Sequence, residues 1–272
     1  MAAPGLRVVF CTNGGLPGAL VLRRLLAHER IRLSGIVLSS RVGGPRQGAV
    51  AGALAHCRRS GFAYATHLAM AVASGESVRA IARRERIPCL ATPRINEPEA
   101  CAFVRQAAPD LLVSAFFNQR IGETVAAIPG LGAVNIHPGT LPDFRGVDPV
   151  FFALLRGAPE LGVTLHRIAP QLDAGPILAQ ARSAPVAGES VLGATARLYD
   201  LGAQLLSASL GAIESRDPGT PQAHGGAYDS WPSRADVAGL RRRGIALARW
   251  GDLRGASRIV ESGLRRSPTG SP

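Results

Sequence analysis

The sequence predicts an α/β protein built on a doubly wound, mostly parallel β-sheet with helices on both faces. Short apolar runs typical of buried strands alternate along the chain with stretches that have the 3.6-residue period of amphipathic helices. The first of them predict a βαβ unit, with a strand over residues 6–11, a helix over 18–28 and a strand over 33–38. A chain of 272 residues with 46% hydrophobic content is long enough to bury the core of such a sheet.

The rest of the chain continues this alternation. Residues 41–60 are rich in glycine and arginine and are predicted to lead from a loop into a helix. Further helices are predicted over residues 77–85, 97–107, 122–127 and 191–214. Further strands are predicted over residues 87–90, 110–116, 132–137, 162–167 and 177–184. Because helices separate the strands, we expect parallel crossover connections and a Rossmann-like sheet.

The regular alternation of predicted strands and helices ends near residue 215. A cluster of turn-forming residues at 217–221 separates a predicted domain, residues 1–215, from a short C-terminal extension, residues 216–272. The extension is predicted to contain a basic helix over residues 235–250. Its last ten residues have a composition typical of disorder.

The composition restricts the classes of function. The formal net charge is +12, but every one of the 31 basic residues is arginine, which indicates biased coding composition more than a surface selected for polyanions. No apolar run approaches the roughly 20 residues of a membrane span, and no signal peptide is recognisable, so we expect a cytoplasmic protein. The cysteines are scattered without a C-x-x-C pair, which predicts reduced thiols and no metal site.

Two polar side chains, Asn135 and His137, alternate with the apolar Val134 and Ile136 at the end of a predicted strand. Since side chains in a strand have a period of two, the amide and the imidazole lie on the same side. The strand must end near Pro138, because proline cannot donate to a sheet ladder. Open α/β sheets bind ligands beyond the carboxyl ends of their strands. The pair is therefore predicted to lie in a binding site.

Three ordered segments around this pair resemble the signature of the folate-dependent formyltransferase family. They are residues 135–142 with their continuation to Arg145-Gly146 and Pro149, then Gly162-Val163-Thr164, then Leu172-Asp173-Ala174-Gly175-Pro176-Ile177. The family includes methionyl-tRNA formyltransferase, glycinamide ribonucleotide formyltransferase, the sugar-amine N-formyltransferases and formyltetrahydrofolate hydrolase. The resemblance is strongest over residues 110–180 and extends more weakly from residue 6 to 214. It departs from the family at Gly139-Thr140, where many members have Ser-Leu.

The resemblance implies that Asn135, His137 and Asp173 are catalytic and that the donor is N10-formyltetrahydrofolate. Attack of an amine on the formyl carbon produces a tetrahedral adduct with a negative oxygen, to which the Asn135 amide would donate. His137 would provide a second donor or move a proton, because an imidazole ordinarily titrates near neutral pH. Asp173 would keep the imidazole charged or oriented, and would accept the proton of the amine through a water.

The resemblance also implies the residues that bind the folate donor. Phe116, Phe117 and Asn118 end a predicted strand at the position where family members contact the folate ring through backbone groups. Leu141 and Leu172 are assigned to the same donor-binding set.

Substrate contacts are predicted at two further places. Asn13, Gly14 and Gly15 lie in the turn between the first strand and the first helix, where backbone N–H groups could hold a phosphate or a nucleotide sugar, although the dinucleotide G-x-G-x-x-G spacing is absent. Arg145 is assigned to the substrate, and taken by itself it is equally well explained as a surface arginine or as a brace for its loop.

Together these features predict transfer of a formyl group from N10-formyltetrahydrofolate to a primary amine of a small metabolite, such as an amino sugar, an amino acid derivative or a natural-product precursor. Two alternatives use the same site: a formyltetrahydrofolate hydrolase, and a methionyl-tRNA formyltransferase-like enzyme that lacks the C-terminal barrel. The extension is short and rich in proline and arginine, which disfavours that barrel and initiator tRNA.

A third alternative, of another class, is a non-catalytic domain that binds a ligand or nucleic acid. The basic segment 77–85 superficially resembles part of a helix-turn-helix, but no second recognition helix follows it. We therefore expect no nucleic acid, no membrane and no metal as partners, and the sequence leaves a homodimer open.

Overall fold

The computed structural model of the protein describes residues 5–40, 49–73, 76–223 and 227–252. The start of the predicted loop, residues 41–48, and the last ten residues lie outside the described residues. The described residues contain nine strands: β1 (Leu6–Thr12), β2 (Ile31–Ser39), β3 (Cys89–Thr92), β4 (Leu111–Ala115), β5 (Ala133–His137), β6 (Arg145–Gly146), β7 (Leu161–Arg167), β8 (Ile177–Ser183) and β9 (Tyr228–Asp229).

Ten helices accompany these strands in the described part of the chain. They are α1 (Gly15–Ala27), α2 (Ala49–Ser60), α3 (Phe62–Ala73), α4 (Val78–Arg84), α5 (Pro98–Ala107), α6 (Glu123–Ala126), α7 (Pro149–Arg156), α8 (Val191–Ala208), α9 (Leu210–Glu214) and α10 (Arg234–Arg242).

Seven strands form the main sheet in the order β3-β2-β1-β4-β5-β7-β8. The first five strands in this order are parallel, whereas β7 is antiparallel to both β5 and β8. The strand order reverses at β1, because the chain moves outward through β2 and β3 and then returns to the other side of β1 at β4. The predicted mostly parallel, Rossmann-like α/β fold is confirmed. Such a reversal is where open sheets bind their ligands.

Alternate residues of the strands supply two apolar cores, one on each face of the sheet. In β1, Val8 and Phe10 belong to the larger core, and Val9 and Cys11 belong to the smaller one. The larger core contains residues of α1 and α8, and the smaller core contains residues of α5 and α6. Helices therefore cover both faces, as a doubly wound sheet requires.

Several predicted element boundaries are wrong. The predicted helix over residues 191–214 is two helices, α8 and α9, which meet at Ser209, whose hydroxyl donates to the carbonyl of Leu205 and competes with the backbone. The predicted helix over residues 235–250 ends at Arg242, because Gly244 follows in a left-handed conformation with φ of 75°. The strand predicted over residues 87–90 is displaced to Cys89–Thr92.

Two helices, α3 and α7, lie where no element is predicted. Their sequences, FAYATHLAMAVA and PVFFALLR, are apolar on nearly all sides, so no amphipathic period distinguishes them. Tyr64 of α3 and Phe151 of α7 are fully buried, but α3 also has a solvent face, which carries apolar residues such as Phe62, 80% exposed, and Val72, 46% exposed.

Residues 216–223 and 227–252 pack against the preceding part of the chain. Thr220 and Ile177 exchange two backbone hydrogen bonds of 2.8 Å, and β9 pairs with β6. In α10, Val237 and Leu240 join the larger core. The extension therefore contributes to the same core as the sheet.

Two further properties concern the surface and the thiols. No helix in the described ranges is long and apolar enough to cross a membrane. All four cysteines are free, with Cys11 and Cys101 buried and Cys89 exposed. Burial raises the pKa of the Cys11 thiol well above its ordinary value, so little reactive thiolate forms there.

Candidate active site

A cavity of about 830 Å³ opens at the carboxyl ends of β1, β4 and β5. Asn13 follows β1, Phe116 follows β4 and His137 ends β5, and all three residues line the cavity. The N–H of Asn13 donates to the carbonyl of Phe116 at 2.6 Å, which joins the two strand ends at the reversal of strand order. The cavity thus lies where this sheet topology favours ligand binding.

The imidazole of His137 is buried and has a polar neighbour at each nitrogen. Nε2 is 2.7 Å from the carbonyl oxygen of Phe144, and because a carbonyl can only accept, Nε2 carries a hydrogen and donates it. Nδ1 faces Asp173, at 3.5 Å from Oδ1. This separation suits an ion pair but exceeds the roughly 2.7–3.2 Å of a direct hydrogen bond. The Nδ1 edge of the ring is therefore directed toward the carboxylate.

The amide of Asn135 is oriented by a second histidine, His166, which sequence reasoning did not single out. The antiparallel register of β5 and β7 places His166 opposite Asn135. His166 Nδ1 donates to the carbonyl of Arg167 at 2.9 Å, so its Nε2 has a free lone pair and accepts from Asn135 Nδ2 at 3.1 Å. This bond fixes which way the amide points and leaves its second N–H available to the cavity.

The protonation state of His166 follows from its surroundings. Burial, assisted by repulsion from His137, lowers the pKa of His166 to about 4. The ring is neutral at neutral pH, as the hydrogen bond from Asn135 requires. A protonated His166 would present an N–H to the amide instead of a lone pair.

Asp173 reaches the same cavity from the turn between β7 and β8. Its Oδ2 accepts the N–H of Gly146 at 3.0 Å, and its Oδ1 faces His137. The backbone of Asp173 has φ of 52°, a conformation that is uncommon for residues other than glycine and recurs at functional sites. Gln222 donates to the Asp173 carbonyl at 3.1 Å, so the extension helps to hold this turn.

The structure brings together most of the predicted site residues. The cavity is lined by the three predicted catalytic residues, Asn135, His137 and Asp173. It is also lined by five of the predicted binding residues: Asn13, Phe116, Phe117, Asn118 and Leu172.

The two predicted glycines of the first turn, Gly14 and Gly15, are not among the residues that line the cavity. Gly14 N–H donates to the hydroxyl of Thr12 at 3.2 Å. Gly15 touches the end of α3, since a Cβ added to it would lie 2.1 Å from the carbonyl oxygen of Ala71. The backbone of α3 thus covers the start of α1.

Leu141 and Arg145 also lie outside the lining of this cavity. Leu141 is buried, and its N–H donates to the hydroxyl of Thr164 at 3.1 Å, which holds it in the interior. The guanidinium of Arg145 donates to the carbonyl of Leu172 at 2.9 Å and so braces the turn that carries Asp173.

Phe116 joins several parts of the site. Its backbone has φ of 49°, and its N–H donates to the hydroxyl of Tyr199 on α8 at 3.1 Å. Burial raises the pKa of Tyr199, so the hydroxyl stays protonated. The left-handed turn at Phe116 aims the segment that follows β4 toward the cavity.

Five further residues of the cavity wall have no signal in the sequence. They are Tyr64, His67, Asp148, Tyr228 and Trp231. Tyr64 and His67 lie on the unpredicted helix α3, Asp148 immediately precedes the unpredicted helix α7, and the last two belong to the extension. None of them lies in a recognisable motif, because they come together only when distant elements pack.

Comparison with known proteins identifies the family. A model of the formyl transferase family matches residues 59–210, which is more than half of the chain. The chain belongs to the formyl transferase family. The matched range contains Asn135, His137 and Asp173 as well as both unpredicted helices.

Relatives in sequence include methionyl-tRNA formyltransferases. The enzyme of Roseiflexus sp. (strain RS-1) is 40% identical over 146 residues, which are 53% of this chain and 44% of the relative. The enzyme of Syntrophus aciditrophicus is 33% identical over 177 residues, which are 64% of this chain and 54% of the relative. The chain spans about a third to a half of the length of the curated relatives it matches.

Solved structures of other formyltransferases have the same fold. Phosphoribosylglycinamide formyltransferase from Anaplasma phagocytophilum matches with a TM-score of 0.56 and 20% identity, and covers 84% of this chain and 99% of its own. A sugar N-formyltransferase from a Shewanella species matches with a TM-score of 0.56 and 15% identity, and covers 87% of each chain.

Within the described residues, no group of three or more His, Cys, Asp or Glu side chains is arranged to hold a metal ion. The polar side chains of the cavity instead bind one another and the backbone, as in the contact between His137 and Asp173.

Proposed function

We propose that this protein transfers the formyl group of N10-formyltetrahydrofolate to the primary amine of a small metabolite. The observation that carries the proposal is the convergence of Asn135, His137 and Asp173 on one cavity in a member of the formyl transferase family. An amide donor, an imidazole and a carboxylate are the groups that acyl transfer to an amine requires when the substrate itself supplies the nucleophile.

The wall formed by Phe116, Phe117 and Leu172 suits a flat aromatic donor. These apolar side chains line the cavity beside Asp173. Aromatic faces and apolar surface with a few placed polar groups are typical of sites for ring-shaped ligands. We assign the folate ring to this wall, which brings its formyl group toward Asn135 and His137.

A second, more open cavity of about 490 Å³ adjoins the donor side. It is lined by Arg120, Arg145, Leu172 and Tyr228, and Arg120 and Leu172 also line the main cavity. Guanidinium groups bind carboxylates well. We assign the glutamate carboxylates of the donor to this side.

The reaction exchanges one carbon–nitrogen bond for another. The nitrogen of the amine attacks the formyl carbon, the bond from that carbon to N10 breaks, and a proton lost by the amine ends on N10. The formyl oxygen is negative in the tetrahedral adduct and accepts the free N–H of Asn135. Loss of one such donor typically raises a barrier by about 3 kcal/mol.

His137 and Asp173 handle the proton. Phe144 and Asp173 fix the imidazole beside Asn135, so that the ring, in its form with a hydrogen on both nitrogens, can donate from Nδ1 to the formyl oxygen. Asp173 Oδ1, which lies 3.5 Å from His137 Nδ1, accepts the proton that the amine loses, directly or through a water bound in the cavity. The same proton then passes to N10 as the adduct collapses.

The acceptor class is tested by incubating the protein with N10-formyltetrahydrofolate and a panel of amines, while following folate absorbance. We expect donor consumption that depends on an amine. Equal consumption without any amine would support the hydrolase instead. Methionyl-tRNA belongs in the panel, because the relatives in sequence are methionyl-tRNA formyltransferases. Exclusive transfer to methionyl-tRNA would replace the small-molecule proposal.

Replacing the imidazole tests the mechanism. His137→Ala is expected to lower kcat by about 10²- to 10⁴-fold, because the formyl oxygen loses its second donor and Asp173 loses the imidazole beside it. The matched control is His28→Ala, since His28 lies outside the cavity lining and bonds through Nδ1 only to the N–H of Arg30. Activity of His137→Ala within a few-fold of the parent would remove this histidine from the mechanism.

A further inference from the structure

The cavity extends beyond the three catalytic residues to a second polar group, formed by Tyr64, His67 and Asp148, which we call the Asp148 cluster. The Tyr64 hydroxyl donates to Asp148 Oδ2 at 2.6 Å, and the rings of Tyr64 and His67 lie 5.6 Å apart. All three residues line the cavity. The catalytic steps above use none of them.

Asp148 has unused capacity to accept hydrogen bonds. Its Oδ1 caps α7 by accepting the N–H of Phe151 at 3.2 Å, and its Oδ2 accepts from Tyr64. Each carboxylate oxygen has two lone pairs, so each keeps one acceptor position. Burial raises the pKa of Asp148, although the nearby His67, the Tyr64 hydroxyl and the Phe151 N–H counteract this. A carboxylate in such a place gains from a further donor.

His67 carries a buried acceptor without a protein partner. It is only 5% exposed, and its Nδ1 has no hydrogen bond to any residue that the structure describes. Its other nitrogen bonds to the backbone of Leu247, and since a carbonyl accepts, that nitrogen carries the hydrogen. Burial lowers the pKa of His67, so the ring is neutral and Nδ1 presents a lone pair. A buried acceptor that lacks a donor is destabilising.

The charge around the cavity argues against a phosphate on the acceptor. Among the described residues that line it, Arg120 alone has a permanent positive charge, and Arg120 also lines the second cavity on the donor side. Burial and the charge of Arg59 lower the pKa of His56, another residue of the wall, so it is neutral. The start of α1, a common anion site, is covered by α3 at Gly15.

We propose that the Asp148 cluster binds a second hydrogen-bond donor of the acceptor, an ammonium or a hydroxyl, and that the acceptor is a small amine without phosphate. This inference rests on the proposed function and names its acceptor class. Tyr64 orients the carboxylate of Asp148, whose two open acceptor positions receive the ligand. The amine to be formylated then lies at the other end, near Asn135 and His137.

Four ligands with the same ring test whether the site prefers a second hydrogen-bond donor and rejects a phosphate. They are cyclohexylamine, 4-aminocyclohexanol, cyclohexane-1,4-diamine and 4-aminocyclohexyl phosphate. Their dissociation constants are measured by saturation-transfer NMR on the full chain without folate. We expect the alcohol and the diamine to bind about tenfold or more tightly than cyclohexylamine, which lacks the second donor, because a hydrogen bond to a charged group has that effect. The phosphate is expected to bind most weakly.

The variant Asp148→Asn tests whether the Asp148 cluster causes the tighter binding of ligands with a second donor. Asparagine is also a good N-cap, so α7 is preserved while the charge is lost. The preference for the diamine over cyclohexylamine is expected to fall about tenfold, and the preference for the alcohol to fall less. Asp143→Asn is the matched control, because Asp143 is an exposed carboxylate of the same segment outside the cavity.

Two results would overturn the inference. One is a parent protein that binds cyclohexylamine or the phosphate as tightly as the diamine and the alcohol, whatever the variants do. The other is a preference for the second donor that survives in Asp148→Asn. Because binding is read without the formyl donor, these results differ from failure of the proposed function, which is absence of amine-dependent donor consumption.

Discussion

At the scale of single residues, the least obvious member of the site is His166. It makes no contact with the proposed reacting carbon and acts through Asn135, whose amide it orients at 3.1 Å. Its neutrality depends on burial, which lowers its pKa to about 4. His166 is thus a positioning residue, and its burial keeps the amide donor pointed in one direction.

This burial predicts a pH dependence of stability. The pKa of His166 is about 4 in the folded protein and near the ordinary 6.5 in the unfolded chain, so the unfolded chain binds more protons between these values. The free energy of unfolding is therefore expected to fall as pH drops from about 6.5 to about 4, by on the order of 1–3 kcal/mol from this group. The quantity to measure is urea unfolding of the parent at a series of pH values.

His166→Gln is the comparison variant, because glutamine can still accept from Asn135 but does not titrate. The difference in unfolding free energy between parent and variant should change across this pH window, while contributions of groups that do not interact with His166 cancel. His28→Gln serves as a surface control. Parallel pH curves for the parent and His166→Gln would show that His166 is not held neutral by the fold.

Sequence patterns predicted some residues of the site and missed others. The two-residue period in β5 was enough to predict Asn135 and His137 on one side, and the family resemblance supplied Asp173. His166 has no such signal, because only the register between β5 and β7 makes it the neighbour of Asn135. The register depends on the turn and the packing between the strands, which a single-strand pattern does not contain.

At the scale of elements, helix α8 supports the strand that carries the site. Gly202 of α8 lies against Ile136, the residue between Asn135 and His137. A Cβ at Gly202 would be 2.3 Å from Ile136 Cγ2 and 2.8 Å from Val163 Cγ2, so the absence of a side chain permits this close approach. The position of β5, and hence of its two polar side chains, depends on this contact.

Gly202→Ala is therefore expected to destabilise the protein by about 1–3 kcal/mol, as overpacking of a dense core does. Formyl transfer is expected to fall as well, because movement of Ile136 displaces its two neighbours. Gly211→Ala is the matched control in α9, where an added Cβ meets no atom within 4 Å. That control should be neutral or more stable by up to about 1 kcal/mol, since alanine favours helix. Equal unfolding midpoints for both variants would contradict the close contact.

Elements also differ in how well their patterns predict them. The amphipathic helix α5 and the buried strands β1 and β4 occur close to their predicted ends. The helices α3 and α7 have no predicted counterpart, because the solvent face of α3 carries apolar residues such as Phe62 and Val72, and α7 is an apolar run of only 8 residues. These two unpredicted helices bring Tyr64, His67 and Asp148 to the cavity.

At the scale of the whole molecule, the extension and the sheet share one core. Both tryptophans of the chain, Trp231 and Trp250, lie after residue 215, and Trp231 is in edge-to-face contact with His56 at 4.6 Å. Ser60 also donates to the carbonyl of Pro232 at 2.5 Å. The division of the chain at residue 215 stays a prediction, and these contacts supply a way to test it.

Tryptophan fluorescence reports on the extension, whereas far-UV circular dichroism reports mainly on the sheet and its helices. The two unfolding transitions in urea are expected to coincide, because a shared core unfolds cooperatively. Trp250→Phe isolates the signal of Trp231, since Trp250 is 82% exposed and is not needed for the core. A fluorescence transition at clearly lower urea would mean that residues 216–252 unfold independently.

The sequence by itself determined the α/β class and the run of parallel strands, and it predicted the three residues proposed as catalytic, because hydrophobic periods and linked motifs are local properties of the chain. The tertiary structure alone decided the orientation of Asn135 by His166, the covering of Gly15 by α3 and the assembly of the Asp148 cluster. Each of these depends on contacts between residues far apart in sequence. Such contacts arise from the packing of elements, and no local pattern records which elements will meet.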